Sequence, residues 1–169
     1  MSAIPSLQSP AGDVEALDAF RDWVAADLAQ RAAHRSLVVS ALRPDQVPPV
    51  RADASVTMLT WAARDGGAPV PTPRCPDGSF DAIYVHRMMR LAAPEAWLGE
   101  LRRALAPGGI VLTAADAVEF AFAPLPSGGD VLLMLRALHA AGFRRAALVC
   151  RMPRLLVVAA QRDDPMAAH

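Results

Sequence analysis

Six short apolar runs, set between helical stripes, limit what this chain can fold into. They are Ser36–Ser40, Ser55–Trp61, Phe80–Val85, Ile110–Thr113, Ala146–Cys150 and Leu155–Ala160. Each has the length of a strand and a continuous apolar character, which suits strands covered on both faces. From Asp13 to Ala33 the pattern changes: Val14, Leu17, Phe20, Val24 and Leu28 recur at spacings of three and four, with Trp23 widening the stripe. That spacing predicts an amphipathic helix, and Pro10, Asp13 and Glu15 suit its first turns. A second helix is predicted from Pro94 to Ala106, with Trp97, Leu98, Leu101 and Leu105 on one face and Pro107-Gly108-Gly109 as its stop. A third runs from Asp130 to Ala141 and ends at Gly142. Strands alternating with helices imply an α/β sheet with helices on its faces. The short link Arg151-Met152-Pro153-Arg154 makes the last two strands an antiparallel hairpin.

With 169 residues, 53% of them hydrophobic, the chain fits one domain, expected over residues 13–162, with residues 1–12 and 163–169 as flexible ends. Seventeen arginines balance seventeen acids and lysine is absent, so no overall field draws nucleic acid or an anionic membrane. No apolar run reaches the roughly 18 to 20 residues that cross a bilayer. No basic stretch followed by an apolar one opens the chain, and Cys75 and Cys150 have neither the number nor the spacing of a disulfide framework or zinc site. The expected location is the cytoplasm. His34, His86, His139 and His169 lack metal-ligand spacing, a P-loop lysine is impossible, and no Gly-x-Ser-x-Gly elbow occurs.

The stretch Pro76 to Thr113 joins Asp77-Gly78-Ser79-Phe80-Asp81 to a strand, a helix, and Leu105-Ala106-Pro107-Gly108-Gly109 before a further strand. In that order and spacing it resembles the downstream half of class I S-adenosylmethionine-dependent methyltransferases, and Gly142-Phe143 with the closing hairpin extends the likeness to about Gln161. The resemblance implies a Rossmann-like methyltransferase-type sheet with flanking helices and a C-terminal antiparallel hairpin, and a backbone-bonding role for Asp81.

The upstream half departs from that family. Its members carry a glycine-rich turn after the first strand, because a Cβ there would obstruct the cofactor's approach to the backbone. Here Leu37–Ser40 runs into Ala41-Leu42-Arg43-Pro44, and no glycine lies between Gly12 and Gly66. Where the family places a ribose-binding acid, Thr60-Trp61 stands, with Asp65 the nearest carboxylate. The proline-rich connector between the first two strands is too short for the usual crossover helix. Either the sheet is reduced in its N-terminal half, or these strands pair differently. The cofactor-site candidates are therefore Ser40, Trp61, Asp65 and Tyr84, and His86 is the candidate general base. The expected function is a degenerate methyltransferase-like domain without an ordinary cofactor pocket. It would hold no cofactor and act as a non-catalytic subunit with a protein partner or with itself. The alternative is an atypical methyltransferase that uses S-adenosylmethionine on a small molecule or a protein.

Overall fold

The computed structural model describes residues 10–31, 33, 35–40, 55–60, 74–88, 94–116, 128–143, 145–152 and 155–163. In chain order its elements are α1 (Pro10–Gln30), β1 (Arg35–Ser40), β2 (Ser55–Thr60), β3 (Phe80–His86), α2 (Pro94–Ala104), β4 (Leu105–Asp116), α3 (Gly128–Ala140), β5 (Arg145–Met152) and β6 (Leu155–Gln161). One Rossmann-like sheet results, in the order β2-β1-β3-β4-β6-β5. The first four strands are parallel, and β6 runs antiparallel to both of its neighbours. The hairpin is as expected, with its second strand on the inside. β1 and β2 pair in parallel despite a connector of fourteen residues, 41–54, which lies outside the described part. That length suffices for a parallel crossover. Helix α1 begins at Pro10, so the last three residues of the expected flexible N-terminus are helical; residues 1–9 and 164–169 lie outside the described set.

Strand alternation sends side chains to two cores. On one face Phe20, Val24 and Leu28 of α1 pack on Val38, Ala82, Tyr84, Leu112, Ala114 and Val157. On the other, Trp97, Leu98 and Leu101 of α2 and Met134 and Leu138 of α3 meet Leu37, Val39, Ile83, Val85, Val111 and Val158. Burying a side chain such as Phe20 contributes about 1.5–3 kcal/mol. The α1 stripe differs in one position from the sequence reading. Ala16 joins Phe20, Val24 and Leu28 in the core, while Val14 stays 60% exposed. Six residues from Phe20, Val14 lies about 120° around the helix from that ring. No described helix is long and apolar enough to cross a membrane.

The residues that carry the family resemblance meet at the amino-terminal edge of the sheet. Asp77 pairs with Arg103, and the Gly78 amide donates to the Arg103 carbonyl at 3.1 Å, with Gly78 in the left-handed region at φ 64°. The Arg162 guanidinium donates to the carbonyls of Arg103 and Leu105, so the exposed end of α2 is capped from two directions. Leu105 already lies opposite Phe80, and the next pair is Ala82 with Ile110. Between these pairs β3 advances two residues and β4 five, so Ala106–Gly109 bulges out of the ladder. Asp81 accepts the Arg35 amide at 2.9 Å and the Arg35 guanidinium at 2.8 Å, tying the start of β3 to that of β1. This is the backbone-bonding role expected for it. At the end of α3, Gly142 (φ 87°) and Phe143 donate back to His139 and Leu138 at 2.9 and 3.0 Å, a Schellman closure.

Candidate functional site

An open parallel sheet offers a crevice outside the carboxyl ends of its strands, at the point where successive connections leave in opposite directions. From β1 the chain passes to β2 on one side, and β3 lies on the other, so the crevice falls between the ends of β1 and β3. Ser40 ends β1 and His86 ends β3. They sit one step beyond the paired residues Val39 and Val85, on adjacent strands and on the same face as Val38 and Tyr84. The structure thus brings together two of the sequence candidates, and both are fully buried.

Helix α1 closes this face. The His86 ring stacks on Phe20 with centroids 4.6 Å apart and planes 12° from parallel. Trp23 meets Tyr84 edge-on at 5.7 Å and Phe20 at 6.0 Å, which completes a run of four rings between α1 and β3. The Tyr84 hydroxyl donates to Asp27 Oδ2 at 2.7 Å, and Arg31 grips the same carboxylate through Nε at 2.7 Å and a second nitrogen at 2.9 Å. Burial, reinforced by the hydrogen bond to the Asp27 carboxylate, pushes the Tyr84 phenol well above its usual range. The hydrogen bond that Arg31 donates to the Asp27 carboxylate raises the guanidinium's own pKa in turn. Tyr84, read from sequence as a cofactor contact, is bound to α1, and His86, the candidate base, is packed face to face with a phenyl ring. Trp61 and Asp65 lie outside the described residues.

Sequence reasoning missed Phe20, Asp27 and Arg31 as partners of these strand-end groups. A signal for the last two was present, since an Asp and an Arg four residues apart share a helix face. Immediately after β3, Arg87 takes φ 55° while its amide donates to the Ala114 carbonyl at 2.8 Å. A left-handed non-glycine residue is uncommon, and here it turns the chain at the rim of the crevice. Among the described residues, no three His, Cys, Asp or Glu side chains come close enough to hold a metal ion.

The resemblance implies a cofactor cradle just beyond these strand ends. That cradle needs backbone without side chains after the first strand. Here β1 ends on buried Ser40, and the four residues that follow it in sequence all carry a Cβ. On the α1 side, the Phe20 and His86 rings stack beside the end of β3.

Comparison with solved structures returns the same architecture. An S-adenosylmethionine-dependent methyltransferase from Aquifex aeolicus matches at TM-score 0.60 and 15% identity, over 95% of this chain and 100% of its own. A 16S rRNA N2 G1207 methyltransferase from T. thermophilus, solved with AdoMet and guanosine, matches at 0.53 and 16% over 94% of this chain, which spans 40% of that protein. A [4+2]-cyclase matches at 0.51 and 17%, over 88% of this chain and 82% of its own. No curated protein matches. The methyltransferase-domain family model matches residues 16–113, from the α1 stripe into β4, and the chain therefore belongs to the methyltransferase domain family.

Proposed function

We propose that this chain uses the methyltransferase fold as a non-catalytic binding or partner subunit, without holding S-adenosylmethionine in the family's manner. The turn after β1 carries the reading. β1 lies between β2 and β3, and the residues that follow it in sequence, Ala41-Leu42-Arg43-Pro44, include no glycine where the family it resembles carries a glycine-rich turn. The closure of the neighbouring strand end by Phe20 on His86 supports it. That a [4+2]-cyclase shares the architecture is a reminder that the fold alone does not fix an activity.

The second reading, an atypical S-adenosylmethionine-dependent methyltransferase acting on a small molecule or a protein, is favoured by the family match across β1, β2 and β3. Such an enzyme works chiefly by aligning donor and acceptor, so it needs few acid or base residues. Isothermal titration with S-adenosylmethionine and S-adenosylhomocysteine separates the two. A flat response up to about 1 mM, where binding is worth about 4 kcal/mol, supports the subunit reading. Saturable binding of either compound overturns it.

A further inference from the structure

Strand β5 forms one edge of the sheet, and among the described residues β6 is its one partner. The ladder groups on its outer side have no neighbouring strand among the described residues, which makes such an edge a template for another chain. Its side chains are open as well: Leu148 is 44% and Val149 56% exposed, and Arg145 and Arg151 are exposed near its two ends. The packed helix α3 adds Leu132 and Leu133, each 48% exposed, and Arg136. Arg136, Arg145 and Arg151 form no ion pair among the described residues. Apart from Asp130 at the start of α3, neither element contains a carboxylate.

The geometry points to β5 as a docking edge for an extended strand of another protein that is apolar and acidic. Main-chain pairing along the open edge supplies register, Leu148 and Val149 supply apolar contact, and the arginines select carboxylates. A second copy of this chain is the poorer occupant. In an antiparallel self-pairing centred on Leu148, Arg145 of one copy meets Arg151 of the other, and like charges directly opposite repel. The bulge at Val149, where β5 slips past β6 between Leu148 and Cys150, further blunts the edge against its own kind. β4 and β6 separate this edge from Ser40 and His86, so the inference stands apart from the cofactor reading.

The test uses two blocked ten-residue peptides, one alternating valine with glutamate and one alternating valine with lysine, titrated against the full chain at low salt. The glutamate peptide should bind saturably below about 1 mM, at least about tenfold more tightly than the lysine peptide. It should also slow amide hydrogen exchange over residues 145–152. In the Arg145→Glu/Arg151→Glu variant the preference should reverse. Equal binding of both peptides, no saturable binding, protection away from β5, or a preference untouched by the charge reversal would each overturn the inference. A dimer of the unaltered chain that protects residues 145–152 from amide exchange would do so too, because the occupant would then be a second copy. The peptide pair decides the matter on the unaltered chain even if the variant does not fold.

Discussion

One added methyl group at Gly109 should destabilise this protein more than at any other glycine of the α2–β4 corner. A Cβ there would stand 2.8 Å from the Ala106 carbonyl oxygen, 3.2 Å from that of Asp81 and 3.1 Å from Leu105 Cδ2. The leucine carbon can rotate away, but the two oxygens belong to backbone. The glycine's own side of the clash is held as well, since the Arg162 amide donates to the Gly109 carbonyl at 2.8 Å and the Gln161 side chain to the Gly108 carbonyl at 3.0 Å. Overpacking costs about 1–3 kcal/mol, and a clash with fixed backbone belongs in the upper half, about 2–3 kcal/mol. For a domain of this size each kcal/mol moves the melting temperature by about 2–4 °C, so Gly109→Ala should melt about 4–12 °C lower. Gly108→Ala has open space but a φ of 74°, and should lose about 1 kcal/mol to left-handed strain alone. Gly99→Ala, inside α2 with nothing within 4 Å, should gain about 0.5–1 kcal/mol from helix propensity. Thermal unfolding by circular dichroism ranks the three. If Gly109→Ala were no worse than Gly108→Ala, or if Gly99→Ala melted below the parent, the steric reasoning would fail.

Tyr84 is the single tyrosine of the chain, so ultraviolet titration reads it alone. In the folded protein its ionisation should lie above the ordinary 10.0 and return there in denaturant. Because the folded value is raised, the associated stability is complete below the unfolded pKa and is lost as pH climbs through the folded one. Tyr84→Phe should remove that alkaline loss, and a parent and variant with parallel melting curves from neutral pH upward would refute the assignment. Phe20→Ala should cost about 3–5 kcal/mol in urea denaturation, since the ring is fully buried and its loss leaves a cavity beside His86. A loss below about 1 kcal/mol would show that α1 is not held by this stack.

The scaffold was legible in the sequence because its signals are local. Helix stripes, apolar runs and the glycine stops after α2 and α3 each depend on residues a few positions apart, and the structure places them within a few residues of expectation. The bulge from Ala106 to Gly109 was less legible, since Leu105 enters the ladder before the glycines and only the partner strand reveals it. Two of the candidates read from the sequence, Ser40 and His86, fall on adjacent strand ends, but their surroundings are not legible there. Tyr84 and Asp27 are 57 positions apart, and no periodicity reports a hydrogen bond across that separation. The motif most visible in the sequence, Asp-Gly-Ser-Phe with Leu-Ala-Pro-Gly-Gly, locks the edge of the sheet remote from the crevice. A recognisable motif can thus identify a fold while saying little about its chemistry.

The placement of β6 inside β5 has a consequence for how the chain is made. When β5 leaves the ribosome, the position beside it is still vacant, because residues 155–161 have yet to be synthesised. Until they arrive, β5 has no strand to pair with and β4 presents an open ladder, which is when premature contacts between nascent chains are most dangerous. Completion of the sheet must therefore wait for this late insertion. A stop codon just after Met152 would not merely shorten the sheet by one strand: it would detach β5 and leave four parallel strands and three helices beside an unfilled seam.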